Sequence, residues 1–425
     1  MKNVIEIAEY GECKLEYCLT PQERGYLHAL SCKEEKEEKN YRFHFEEAPK
    51  YLRIKALSWV GVIELEAIRI EIRPKFDRGF TSLIDLICFI NRIPFYKWNE
   101  SEAAFKNDNL MELLIRLFLF ELDRLWKHGL MKEYVTHEDN LAQLRGRPLF
   151  EQDLKRNMSS PTRIFCRFDE LVTDIPENQV ILAALEQAYR FNLQSDSKRQ
   201  VNKYRYEFEK VCKPYRGDSW PPFYYHRLNA HYEKTHILSA YILNQTSVSE
   251  MFSYRQQSFF SFLIDMNDLF EKFLSEIFRR YLPTSYKLKP GPKLTDAIIS
   301  EGNTYRQVIP DLVITNKNNG HITVVDAKYK PYGSRPVDTS DIFQVSFYAQ
   351  YFNYNREKCH HSIIVYPIYA EEEGKIFSID ILPSTPYWGT LQVEGVSIEK
   401  VLEMVKENRL EELEDLCVKF YKRKA

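Results

Sequence analysis

The alternation of apolar and polar residues changes character along the chain. Over roughly the first 75 residues the pattern is mostly that of strands. RFHFEEAPKYLRIKAL and GVIELEAIRIEIRPKF place an apolar residue at about every second position, as half-buried strands require. The charged run KEEKEEKN from Lys33 reads as a solvated loop or hairpin tip. A helical period then takes over at Leu83–Ile90 and at 109–128. The second of these, NLMELLIRLFLFELDRLWKH, is apolar around much of its circumference and calls for burial. Further helices are expected from near Gln179, in KRQVNKYRYEFEKV and in HYEKTHILSAYIL. From Ser258, FFSFLIDMNDLFEKFLSEIFRRYL reads as one strong helix, followed by a Pro-, Gly- and Lys-rich loop, SYKLKPGPKLTD. Strand VIPDLVI, turn NKNNG, strand HITVVDAKY, helix DIFQVSFYAQYFN, strand SIIVYPIYA and a charged tail helix from Val396 complete the series. These elements define an α+β, multidomain chain with boundaries expected at 1–150 (β-rich), 151–255 (mainly helical) and 256–425.

Composition narrows the classes. The 425 residues allow two or three cores. The formal net charge of −2 argues against a surface that grips duplex DNA on its own, though not against a local basic groove. Eight scattered cysteines are too few for a disulfide scaffold, and the pair Cys13 and Cys18 has no matching pair at zinc-finger spacing. His360 and His361 likewise lack a ligand set around them. The N-terminus has no signal-peptide pattern and no stretch is apolar enough to span a bilayer, so a cytoplasmic location is expected.

Candidate chemistry concentrates in IPDLVITNKNNGHITVVDAKY, residues 309–329. Asp311 interrupts the first apolar run; Asp326 and Lys328 interrupt the second. Residues two apart on a strand share a face, so Asp326 and Lys328 project together. A hairpin turning at Asn318, Asn319 and Gly320 brings Asp311 beside Asp326. Two close carboxylates repel, and a hard divalent cation such as Mg²⁺ relieves that repulsion. Glu271, amid apolar neighbours on the preceding helix, is a candidate further ligand, with Asp268 and Glu276 as substitutes. Gln344 and Tyr348, four apart on the following helix, share a face and can hydrogen-bond a phosphate or the strand that carries the acids. Lys287, Lys289, Lys293, Lys330 and Arg335 are candidate phosphate contacts.

In order and context, Pro310-Asp311 followed by Asp326-Ala327-Lys328 resembles the signature of the PD-(D/E)XK nuclease superfamily. Glu271 matches its preceding helical acid, and Gln344 and Tyr348 its Q-x-x-x-Y element. The rest of the chain resembles the McrC family, the nuclease subunits of McrBC-type, 5-methylcytosine-specific restriction systems. The I-x-P-K ending at Lys75, L-R-G-R at 144–147, F-D-E at 168–170, Asn178 before a helix, and DMNDLFEKF at 265–273 carry that resemblance. It implies a restriction-endonuclease-like α/β core in the last third and an N-terminal region that engages a hexameric McrB-like AAA+ GTPase and stimulates it. It also implies Mg²⁺ held by Asp311, Asp326, the Ala327 carbonyl and Glu271, with Lys328 positioning the attacking water and a 5′-phosphate as product. Modified DNA is met through the partner, and pairing of nuclease domains gives double-strand cuts. The chain has no G-x-x-x-x-G-K-[ST] loop, in keeping with GTP hydrolysis residing in the partner. The alternatives are a stand-alone Mg²⁺-dependent repair nuclease and a noncatalytic regulator of an AAA+ ring.

Overall fold

A computed structural model describes residues 3–35, 38–96, 109–158, 162–217, 219–243, 259–353, 360–369, 376–384 and 389–419. The chain forms two compact units, one made of residues 1–110 together with 248–425, the other of 111–247. The first unit is therefore discontinuous, taking residues from both ends of the chain. The physical reason is a strand that the sequence pattern hides, described below.

The N-terminal segment runs β1 (Asn3–Ala8), β2 (Glu12–Leu15), α1 (Pro21–Ser31), β3 (Cys32–Glu35), β4 (Glu38–Tyr41), β5 (Phe43–Ala48), β6 (Tyr51–Ala56), β7 (Trp59–Glu64), β8 (Ile68–Arg73) and α2 (Phe80–Ile90). Alternation in β6 buries Leu52, Ile54 and Ala56 and exposes Arg53 and Lys55. Of the charged run from Lys33, residues 33–35 pair with residues 38–40 in strands β3 and β4, and residues 36–37 lie outside the described residues. Helix α1 interrupts what reads as continuous strand. It begins with a capping box: Thr20 Oγ1 accepts from the Glu23 amide at 3.2 Å, while Glu23 Oε2 accepts from the Thr20 amide at 2.9 Å.

The middle unit contains α3 (Leu110–His128), β9 (Glu133–Leu141), β10 (Arg147–Pro148), α4 (Phe150–Asn157), β11 (Ile164–Val172), α5 (Pro176–Arg190), α6 (Ser195–Glu209) and α7 (Glu233–Leu243). Strands order as β10-β11-β9, all antiparallel. Two short motifs meet on this sheet. The Arg145 guanidinium lies 4.3 Å over the Phe168 ring and pairs with Glu170 at 3.4 Å. Gly146 between them sits at φ 66°, where a Cβ would come within 2.4 Å of the Arg167 carbonyl oxygen, so only glycine fits. Asn178, fully buried, donates to the Met131 and Thr173 carbonyls and accepts from the Tyr232 hydroxyl.

The C-terminal segment returns to the first unit. It comprises β12 (Phe260–Asp265), α8 (Met266–Tyr281), β13 (Tyr286–Pro290), β14 (Ile299–Ser300), β15 (Asn303–Thr304), β16 (Leu312–Asn316), β17 (Ile322–Ala327), α9 (Thr339–Asn353), β18 (His360–Ile368), β19 (Phe377–Ile381), β20 (Gly389–Ser397), α10 (Ile398–Lys406) and α11 (Leu410–Lys419). The expected long helix from Ser258 is thus a strand followed by a shorter helix. FSFLID pairs antiparallel with β7 and completes the sheet β1-β8-β7-β12. Asp265 ends the strand and caps α8, accepting from the Asn267 amide at 2.9 Å. The close pairing depends on Gly61, whose Cβ position lies 1.9 Å from the Phe262 carbonyl oxygen. Part of the expected lysine-rich loop is likewise strand β13, which pairs with β16. The tail helix is broken at Asn408, which takes φ 56°.

The sheet that carries Asp326 has six strands in the order β13-β16-β17-β18-β20-β19. It is mixed: β17 and β20 run parallel to β18, and the other pairs are antiparallel. Val345 of α9 packs with Ile364, Tyr366, Leu391 and Val393 of the sheet and with Tyr332 in one buried core.

Candidate active site at the end of strand β17

Register builds the site. In the antiparallel β16–β17 pair Leu312 faces Val325, so the next rung places Asp311 opposite Asp326. The turn closes with the Gly320 amide donating to the Asn316 carbonyl at 2.8 Å, and Gly320 takes φ 65°. Asp311 is anchored from its partner strand: Oδ2 accepts from the Ala327 amide at 2.7 Å. Past the last residue of β17, the Lys328 amide still donates to the Val365 carbonyl at 2.9 Å, which fixes the direction of its side chain.

Asp326 is 1% exposed. Its Oδ2 faces Lys328 Nζ at 2.7 Å. Its Oδ1 is buried without a hydrogen-bond partner among the described residues. Lys328 Nζ also donates to Gln344 Oε1 at 3.1 Å, and Gln344 Nε2 donates to the Tyr348 hydroxyl at 3.0 Å. The chain Asp326–Lys328–Gln344–Tyr348 is therefore continuous from strand to helix.

Electrostatics follow from this packing. Burial, then the charges of Asp326 and Glu271, hold the Asp311 carboxyl well above the usual carboxylate range, against the Ala327 amide and Lys328. Burial also raises Asp326, with the Lys328 ammonium opposing. For Lys328, burial disfavours the charge, but Asp326, Asp311 and Asp341 outweigh it and the ammonium is held above its ordinary range. Glu271, on the solvent side of α8, is raised by partial burial and by Asp268, and it senses Asp326.

The site residues are not brought together equally. Asp326, Lys328, Gln344 and Tyr348 are joined by one ion pair and two hydrogen bonds, and Asp311 is held beside them through the Ala327 amide. Glu271 lies within range of their charge, yet among the described residues no three His, Cys, Asp or Glu side chains converge on a common ion position. Of the substitutes, Asp268 pairs with Lys272 at 2.7 Å, and Glu276 is engaged by Arg92, Arg279 and Arg280. Lys330 binds Asp338 and Asp341 at 2.9 and 2.7 Å, and Arg335 also faces Asp338, so neither cation is unpaired for a phosphate. Lys287, Lys289 and Lys293 are exposed. Asp341 is a carboxylate that sequence reading passed over. It is buried, held by Lys330 and the Tyr332 hydroxyl, and it contributes to the field on Asp326 and Lys328. Only its place in the first turn of α9 could have drawn attention to it.

A divalent cation fits this donor set. An orphaned buried carboxylate oxygen on Asp326 and a like-charged pair forced together are what such an ion relieves. Mg²⁺ in particular is commonly held by one or two protein carboxylates and keeps its remaining sites for water and phosphate oxygens.

A mixed α/β chain with 11 helices among its described residues and a carboxylate pair at a strand end defines a class; comparison with solved structures specifies its fold. The fold matches a structure described as a refined half-complex from a tetradecameric assembly of Thermococcus gammatolerans McrB AAA+ hexamers with bound McrC. The TM-score is 0.60 at 16% identity, over 96% of this chain and 100% of that one. A second match, to the cryo-EM structure of the Thermococcus gammatolerans McrBC complex, has a TM-score of 0.47 at 18% identity over 66% of this chain and 89% of that one. The family described as McrBC 5-methylcytosine restriction system component matches residues 54–367. The chain belongs to that family. No curated protein matches it. No helix among the described residues is long and apolar enough to cross a membrane.

Proposed function

We propose that this chain is the DNA-cutting subunit of a modification-dependent restriction complex, a Mg²⁺-dependent endonuclease of the PD-(D/E)XK type that acts with a McrB-like AAA+ GTPase. The observation that carries the reading is the pairing of Asp311 with Asp326 across adjacent strands, with Lys328 on Asp326 and Gln344 behind it. Family membership supplies the setting.

Asp311 and Asp326 would hold Mg²⁺, with the Ala327 carbonyl and Glu271 as further oxygen donors. The ion would supply Lewis-acid stabilisation of charge on the phosphate oxygens and acidify a bound water. The chain's own groups do the rest. Lys328 orients the attacking water and faces the charge that grows on the phosphoryl oxygens. Gln344 fixes the Lys328 ammonium, and Tyr348 fixes Gln344. Attack with departure of the 3′-oxygen leaves a 5′-phosphate.

The middle unit offers a surface suited to the partner. Phe150, Leu154 and Met158, spaced four apart along and just beyond α4, are 71%, 63% and 85% exposed. Tyr134 and Leu144 are exposed in the same unit. Large apolar side chains presented to solvent at helical spacing mark an interaction face. An AAA+ ring docked there would be stimulated to hydrolyse GTP, and it would deliver methylated DNA to a subunit whose own net charge is only −2.

Reconstitution tests the proposal. Methylated DNA should be cut when this chain, the neighbouring AAA+ subunit, GTP and Mg²⁺ are all present, and unmethylated DNA should survive. Cutting by the chain with Mg²⁺ alone would instead identify a stand-alone nuclease.

A further inference from the structure

Among the buried carboxyls that the chemistry above leaves unused, Glu9 stands next in space to the residue that follows Lys328. Glu9, just past β1, is 1% exposed. The Tyr329 hydroxyl donates to its two oxygens at 2.9 and 3.0 Å. The Tyr369 hydroxyl donates to Oε1 at 2.9 Å and lies 2.9 Å from the Tyr329 hydroxyl. The next residue, Tyr10, donates its own hydroxyl to the Tyr329 carbonyl at 2.8 Å. Lys75 Nζ lies 5.5 Å from the Tyr10 ring centre and 5.8 Å from that of Tyr369. Two consecutive residues of the N-terminal segment thus hold Tyr329 by both side chain and main chain.

Two physical points argue that this is more than a brace. A buried carboxylate is a poor way to stabilise a fold, because its desolvation offsets most of what its partners return. Burial does push Glu9 upward here, with the tyrosine donors and Lys75 opposing. Tyr10 also takes φ 58°, a left-handed conformation that is rare for a bulky residue and persists only where its surroundings enforce it. Both features serve orientation. Tyr329 is peptide-bonded to Lys328, and β17 ends at Ala327. The Phe270 ring packs edge-on to Tyr329 at 5.8 Å. Glu9 supplies the polar end of that socket.

We propose that Glu9 is a positioning residue for Lys328: by fixing Tyr329 it sets where the lysine ammonium stands at the carboxylate pair. The inference rests on the nuclease reading given above. It makes the N-terminal segment part of the cutting apparatus as well as of the fold.

The test uses the full chain reconstituted with its AAA+ partner, GTP, Mg²⁺ and methylated DNA, followed under single-turnover conditions. Glu9→Ala should lower the cleavage rate constant about 10–100-fold, the scale expected when a reacting group is displaced by a fraction of an ångström to 1 Å. The DNA concentration for half-maximal rate and the stimulation of GTP hydrolysis should stay at wild-type values. Glu9→Gln, whose amide oxygen still accepts from Tyr329, should recover part of the rate. Tyr329→Phe removes a single hydroxyl and should reproduce the loss, which decides the matter if Glu9→Ala does not fold. Unchanged cleavage in these variants, or a parallel loss of cleavage and GTPase stimulation, would overturn the inference. A wild-type complex that stimulates GTP hydrolysis but never cuts would remove the nuclease reading, and this inference with it.

Discussion

Asp311 shows how much one carboxyl is asked to tolerate. It sits opposite a buried acid on the neighbouring strand and accepts a hydrogen bond from the Ala327 amide. Its pKa is raised in the folded state, so the native protein binds more protons than the unfolded chain between the two values. The contribution of Asp311 to stability is therefore highest below the ordinary carboxylate range and is lost as pH rises through the folded value. Asp311→Asn keeps an acceptor for Ala327 but removes the charge. Without metal, thermal melts should show this variant above wild type at pH 8 and level with it near pH 3. Mg²⁺ should act in the opposite sense. At ten times its dissociation constant an ion that binds only the folded state adds about 1.4 kcal/mol, a rise in Tm of roughly 1–3 °C for a unit of this size. That rise should grow with pH, because the ligands must be deprotonated, and should be absent in Asp311→Asn. A second prediction concerns the lysine. Gln344→Ala leaves Lys328 bonded to Asp326 alone and should slow cleavage about 10-fold with little change in DNA affinity, as read from single-turnover rates against DNA concentration.

At the scale of elements, legibility depended on whether the information was local. The β16–β17 hairpin and α9 could be read because a period of two, a turn rich in asparagine and a helical run all lie within a few residues of one another. The candidates Asp311, Asp326, Lys328, Gln344 and Tyr348 came from that local pattern; an ion pair and two hydrogen bonds join the last four, and Asp311 is tied to the Ala327 amide. Strand β12 was hidden. Residues 261–264 are buried in succession, so the segment carries no alternation, and the apolar run continues into a true helix. Only pairing with β7, some 200 positions earlier, makes it a strand; the Ser58–Asn267 bond spans 209 residues at the same junction. Helix α1 was legible in principle through Thr20-Pro21-Gln22-Glu23, a capping box with proline at its first turn, but strand-like neighbours masked it. Glu9 could not have been found at all, since its partners lie 320 and 360 residues away. The exposed stripe on α4 yields a prediction at this scale. Leu154→Asp should weaken association with the AAA+ partner at least 10-fold, measured by sedimentation or interferometry, with no loss of thermal stability, because a 63%-exposed side chain contributes little to its own fold.

For the whole molecule, the partner face proposed above belongs to the unit of residues 111–247, while the carboxylate pair and the N-terminal strands share the discontinuous unit. The Glu399 carboxylate accepts from the Asp77 amide at 3.1 Å and from the Ser82 hydroxyl at 2.5 Å, a further tie between the two ends of the chain. On the function proposed above, cutting belongs to the Asp311–Asp326 site of this chain and GTP hydrolysis to its partner. The most direct measurement is a reconstituted complex carrying Asp326→Ala, assayed in parallel for cleavage of methylated DNA and for GTP turnover. Cleavage should fall by about 10³-fold or more with stimulation of GTP hydrolysis unchanged. Cleavage persisting at the wild-type rate in that complex would contradict the proposed function.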